Sequence, residues 1–370
     1  MDSVVYHRVE VENNKDSYSA FDELQFFLQA EGRALLRNSV RVEGILTVTK
    51  NSPAAPLSKT DNIFIDHNIG IHSVVDNLNV EIQNAGLIEN YSDYPKYAKT
   101  VKVASTDNND THSLKDDIEL ISPTKNIARK TLVGNKPTNT QATSADRQDP
   151  SFSFKPICCL NNMSDNLSFQ KTGYVKLSLT LGRVGSVLYG RNVDSNTNYT
   201  LSDVRLTFQS VPDRNPGAQV QMRTVLSLKN TIQSQLSNTM SKVPAVCDGV
   251  SCVFLKSSRE NNLISCNTNL DRLSGIDEVQ FLFSDSTSQY VSYVIDDYGE
   301  MIDRFVDSVN DTGHNMLNVN KNVMNFGIGL RFPPVDLSNQ KFNIQIRSDN
   351  NSLSSDPHVI YMYFKSFVSL

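Results

Sequence analysis

Between Gly173 and Ser210 apolar and polar residues alternate in two runs. In the first, Val175, Leu177, Leu179 and Leu181 share one face while Lys176, Ser178 and Thr180 share the other. After a Gly- and Asn-rich interruption, Val204, Leu206 and Phe208 alternate with Asp203, Arg205 and Thr207. A period of two is that of a strand with one buried face. The pattern therefore predicts strand, turn, strand. A comparable series closes the chain, where Phe326–Phe332 precedes Phe342–Ile346 and His358–Phe364. Each half ends in the same way, which predicts two similar β-modules in tandem.

The remaining stretches fill in that plan. Val4–Val11 alternates inside an otherwise polar segment and reads as an arm, residues 1–19, whose lone edge seeks a partner. Phe21–Leu36 fits a helix through Phe21, Leu24, Phe27 and Leu28, and a strand through Leu24, Phe26 and Leu28, so its state stays open. Val40–Thr49 is a strand, stopped by the Asn51–Pro56 breaker. Leu78, Val80 and Ile82 alternate before a turn at Asn84–Gly86. A short helix follows over Tyr91–Val101, with Pro95 in its first turn and Tyr94, Tyr97, Ala98 and Val101 on one face. Ser105–Pro150 is polar throughout, a length of loop expected to be functional or to reach another subunit. Val211–Gly217 is the linker, placing a first domain at 20–212 and a second at 217–370. The second begins with Gln219–Ser237 and Gly249–Leu255. Its strand Gly275–Phe283 is again followed by a helix, Tyr298–Val309, with Met301, Phe305 and Val309 four apart. The order of parts repeats although the letters do not.

Composition narrows the function. A chain of 370 residues is long enough for two ordinary domains, each with its own core. Only 20% of residues are charged, so the surface must be rich in Asn, Ser and Thr. A net charge of −5 argues against a protein that coats nucleic acid, and no sequence-specific nucleic-acid binding is expected. No apolar run approaches the roughly 20 residues that span a bilayer. Met1–Asn14 lacks the apolar core of a signal peptide, so synthesis in a cytosol-like compartment is expected. Five cysteines, an odd number, fit that compartment better than a disulfide framework.

Many short strands with one small helix per half predict an all-β protein, two tandem eight-stranded antiparallel jelly-roll sandwiches with short helices in loops. Three stretches carry a family resemblance: Asn38–Val48, Phe64–Val80 with Asn90–Pro95, and Asn325–Phe332. With them the sequence resembles the double-jelly-roll major capsid proteins of tailless icosahedral DNA viruses, including virophages, polinton-like viruses and the adenovirus-hexon lineage. The likeness spans about Ser17 to Leu370. It implies homotrimeric, pseudo-hexagonal capsomers that tile a shell, and hence a place in the virion. It also implies contacts with neighbouring capsomers and with vertex (penton) and minor capsid proteins. The Ser105–Pro150 loop would lie on the outer surface, and the N-terminal arm on the inner side against neighbours or an internal membrane. Two other readings share the architecture: a carbohydrate-binding or adhesin module, and a minor or vertex capsid protein.

No residue pattern predicts chemistry, so no catalytic, cofactor-binding or metal-ligating residues are assigned and no enzyme is expected. His67 and His72 beside Asp66 would fall on opposite faces of a strand. Cys158 and Cys159 are adjacent, and Cys247, Cys252 and Cys266 form no Cys-x-x-Cys pair, so buried thiols are expected. Asp107–Thr111 and Asp349–Asn351 cluster oxygen ligands but lack the Gly and Glu of a calcium loop. Gly182–Gly190 has no Gly-Lys-Ser/Thr and reads as a plain loop. The residues on which the chain depends are structural: Val40, Val42 and Leu46 in the first core, Leu330 and Phe332 in the second.

Overall fold

The structure, a computed structural model, describes residues 3–50, 55–56, 63–66, 68–105, 118–121, 151–233, 236–241, 243, 246–268, 270–271, 275–284, 289–309, 327–338, 340–348 and 357–370. The first half contains β1 (Val5–Glu10), β2 (Ser17–Tyr18), β3 (Glu23–Leu28), β4 (Arg33–Leu35), β5 (Arg41–Lys50), β6 (Ala55–Pro56), β7 (Val75–Ile82) and β8 (Gly86–Tyr91). Helix α1 (Tyr94–Ser105) follows, then β9 (Ser151–Phe154), β10 (Leu167–Ser168), β11 (Val175–Leu181) and β12 (Asn198–Pro212). The second half contains β13 (Gln221–Ile232), β14 (Leu236–Ser241), β15 (Val246–Lys256), β16 (Ile276–Ser284) and β17 (Gln289–Ile295). Helix α2 (Tyr298–Val309) precedes β18 (Ile328–Asp336), β19 (Lys341–Ser348) and β20 (His358–Ser369).

Lettered B to I in chain order, the eight strand positions of the second half form two sheets. One runs B-I-D-G as β13-β20-β15-β18, and the other C-H-E-F as β14-β19-β16-β17. That is a jelly roll. The first half repeats it with several positions split in two. Its C-H-E-F sheet is β3-β11-β7-β8. In its B-I-D-G sheet β12 lies between β1 with β2 on one edge and β4 with β5 on the other, and β9 and β10 pair beyond those. Each half carries its helix at the same place, between F and G. The repeated order of parts read from the sequence is thus a repeated topology.

Alternation decides the strands. Along β5, Val42, Gly44, Leu46 and Val48 are buried and their neighbours partly exposed. Leu24, Phe26 and Leu28 are buried in β3, so the ambiguous Phe21–Leu36 stretch is strand, its period of two matching the sheet that β11 offers. Gly173–Ser210, expected as strand, turn, strand, yields β11 and β12, but these occupy different sheets. The long return between them crosses the sandwich instead of forming a hairpin. Residues 5–10, read as an arm seeking a neighbour, pair with β12 of their own chain, where His7 stacks on Phe208 at 4.5 Å. Both expected helices form, although α1 starts at Tyr94 because Tyr91 ends β8: Tyr94, Tyr97 and Ala98 of α1 and Met301, Phe305 and Val309 of α2 are buried. Apart from 118–121, the interior of the Ser105–Pro150 loop lies outside the described residues, as do Asp107–Thr111 and Asp349–Asn351.

Val40, Val42, Leu46 and Leu330 are buried in the two cores, whereas Phe332 is half-buried at the margin of the second, edge-on to Phe283 at 5.1 Å. Helix α2 approaches β18 so closely that a Cβ on Gly329 would sit 2.0 Å from Ser308 Oγ. Only glycine fits there.

Candidate functional site at the seam between the halves

The two rolls do not simply stand in tandem. Strand β8, the F edge of the first roll, meets β13, the B edge of the second, through a parallel bridge between Asn90 and Leu226. The two four-stranded sheets thereby become one of eight strands, β18-β15-β20-β13-β8-β7-β11-β3. The middle strands of the second roll's half, β15 and β20, are buried on both faces. Ile360, Met362 and Phe364 of β20 enter the second core, and Val359, Tyr361 and Tyr363 enter the first. Tyr97 of α1 packs on Tyr363 with ring centroids 5.0 Å apart, and Phe305 and Val309 of α2 join the same cluster. A strand covered on both faces reads as a continuous apolar run. The runs His358–Phe364 and Val250–Leu255 were the available sign of this double burial.

Buried polar groups fasten the seam. Glu89 on β8 is fully buried, its Oε2 accepting Cys159 N–H at 2.6 Å and its Oε1 accepting Val225 N–H at 3.1 Å. One carboxyl thus ties β8 to the segment after β9 and to the first strand of the other roll. Burial pushes its pKa up to about 7, against the pull of the donors from Cys159, Tyr91 and Val225. The native state therefore holds a proton that the unfolded chain releases near its ordinary value. Stability from this group is complete below that value and is lost as pH rises to about 7. The unfolding midpoint in urea should fall across that window by the equivalent of about 3 kcal/mol more than in Glu89→Gln, which cannot titrate. Equal slopes in the two proteins would show that Glu89 does not titrate there.

A second tie joins three separate segments. Asp66 bonds Lys99 of α1 at 2.8 and 3.0 Å, accepts the Thr268 hydroxyl, and accepts Asn68 N–H at 2.7 Å, with the Cys266 thiol at 3.3 Å. Burial pushes the Asp66 carboxyl up, but the Lys99 charge and these donors outweigh it and hold the pKa well below the carboxylate range. Beside it, Gly70 has φ +51° and a Cβ there would lie 2.1 Å from Glu119 O. Glu119 is ion-paired with Lys102 and lies 3.7 Å from His72 Nε2, while His72 Nδ1 shares a 2.7 Å hydrogen bond with Tyr94 OH. Burial pushes Glu119 up and His72 and Lys102 pull it down to about 2. At one margin of the seam Lys96 pairs with Asp93 at 2.9 Å and lies over the Tyr361 ring at 4.3 Å. Tyr363 OH donates to Asp93 O at 3.1 Å.

His72 and Asp66 thus belong to different clusters, and His67 lies outside the described residues. Among the described residues no three His, Cys, Asp or Glu side chains gather as a metal site. None of the five cysteines is in a disulfide, all are buried, and burial raises the thiol pKa values, to about 12 for Cys247 and Cys266. What this arrangement does chemically is to tie the two rolls together.

Neither a protein-family model nor a curated protein sequence matches the chain significantly. Solved structures do. The chain is similar to the Faustovirus major capsid protein over all of its own length and 90% of the other, at 9% identity and a TM-score of 0.58. It is similar to PBCV-1 VP54, as fitted into a reconstruction of the virophage Sputnik, over all of this chain and 94% of that one, at 9% identity and 0.60. A chain of the Sputnik virophage structure matches over all of this chain and 86% of that one, at 13% identity and 0.55. The fold expected from the sequence, a double jelly roll, is the fold these chains share.

Proposed function

We propose that this chain is a viral major capsid protein, a shell-building unit that acts by geometry and not by catalysis. One observation carries the reading: two rolls of the same topology are joined side by side through one eight-stranded sheet, in a chain whose whole length is similar in fold to the Faustovirus major capsid protein. Three such chains supply six rolls, enough for a pseudo-hexagonal capsomer, and capsomers of that outline tile an icosahedral shell. A sparsely charged surface rich in neutral polar groups supports broad hydrogen-bonded contacts between copies. The partners are then further copies of the chain, with minor and vertex proteins of the same shell, and the location is the virion. Among the described residues no helix is long and apolar enough to cross a membrane. Light scattering of the purified chain of 41.3 kDa should give three times that mass, about 124 kDa. Negative-stain images of the same peak should show a hexagonal outline. A pentamer would point to a vertex protein instead.

A further inference from the structure

The seam inside the chain joins an F edge to a B edge, and the chain has one more of each. Among the described residues, β17, the F edge of the second roll, pairs only with β16, and β1, the B edge of the first roll, pairs only with β12. The two F strands are built alike. Tyr91-Ser-Asp-Tyr94 leads β8 into α1, and Ile295-Asp-Asp-Tyr298 leads β17 into α2. In both, the aspartate carbonyl accepts an N–H of the first helical turn, from Lys96 at 3.1 Å and from Met301 at 3.0 Å. Aligned on these turns, Val294 holds the place of Asn90, the residue that bridges to β13.

We propose that β17 of one copy lies alongside β1 of a second copy, repeating between chains the contact that β8 makes with β13 inside each chain. The exposed apolar side chains fit this occupant. Val294 is 44% exposed and Tyr298 44%, and on the other edge Val5 is 37% exposed and Tyr6 76%. Open strand edges bearing apolar side chains are pairing sites unless something covers them. The contact is head-to-tail, so each copy offers one edge and receives another, and such contacts build rings when the rotation closes. The inference rests on the capsomer reading for its closure at three copies.

Cysteine pairs test it. Val294→Cys is combined in turn with Val5→Cys, Tyr6→Cys and Arg8→Cys in the full chain, the native thiols being buried. After mild oxidation at least one combination should run as linked chains ending at three on a gel without reductant, and each single variant as one chain. If every combination stays unlinked in preparations of three-chain mass, the edge contact is wrong and the capsomer reading stands. A chain that remains at 41.3 kDa at every concentration overturns both.

Discussion

Val42→Asp should leave no soluble folded chain. Val42 lies in β5 opposite Leu206 on one side and Phe154 on the other, buried between the sheets of the first roll. Removing the valine forfeits burial of about 1.5–3 kcal/mol. The carboxylate that replaces it finds no partner among Leu206, Phe154 and their neighbours, at several kcal/mol more. The sum is of the order of a typical domain's entire stability, about 5–15 kcal/mol. Thr49→Asp, on the half-exposed face of the same strand, should change stability by only about 0.5 kcal/mol. Soluble yield and far-ultraviolet circular dichroism of the two variants decide the matter, and a well-folded Val42→Asp protein would refute the buried assignment. In the second roll Leu330→Asp should behave like Val42→Asp, and Phe332→Asp should be milder because its ring is half-exposed.

Lys99→Met should lower stability by about 3–5 kcal/mol, because it strands the Asp66 charge in a buried site. For a chain of this length that corresponds to about 5 °C in melting temperature. Methionine keeps the length of the side chain, so the loss reports the charge and not a cavity. Adding Asp66→Asn to Lys99→Met removes the stranded charge while keeping an acceptor for Thr268, and should restore more than half of the loss. Calorimetry of the four proteins measures the coupling. Losses below about 1 kcal/mol in both single variants would mean that the pair is solvated. The same pair makes the chain acid-sensitive. Asp66 has a depressed pKa, so its contribution is present above the ordinary carboxylate value and is lost as pH falls below it.

Much of the fold is legible in the sequence because one face of most strands is wet. The alternation in Val40–Thr49 and Val175–Leu181 marks both the strand and its buried side, and the spacing of Tyr94, Tyr97 and Ala98 marks α1. The seam is not legible in that way. Asp66 and Thr268 are 202 residues apart, and Glu89 and Val225 are 136 apart, and no periodicity carries such a pairing. Nothing in the sequence pattern marks Glu89 as a buried carboxyl. Only the bulge in β7–β8 pairing between Val80 and Glu81, and the strand that arrives from the other roll, place it inside. The pairing of residues 5–10 was not legible for a related reason: a lone alternating stretch shows that an edge needs a partner, and does not say that β12 supplies it.

The position of the I strands has a kinetic consequence. In each roll the strand that comes last in chain order enters the middle of a sheet, β12 between β1 and β5, β20 between β13 and β15. On the ribosome β13 and β15 therefore emerge long before the neighbour that separates them, and each waits with an unfilled edge. Closure of so long a loop is slow, and waiting edges are where nascent chains aggregate. The second roll thus stays open until β20 has been translated, whereas β12 can already have closed the first. Refolding of the full chain should be slow for the same reason, and productive assembly in a cell would favour chaperones that hold the second roll's open edges apart.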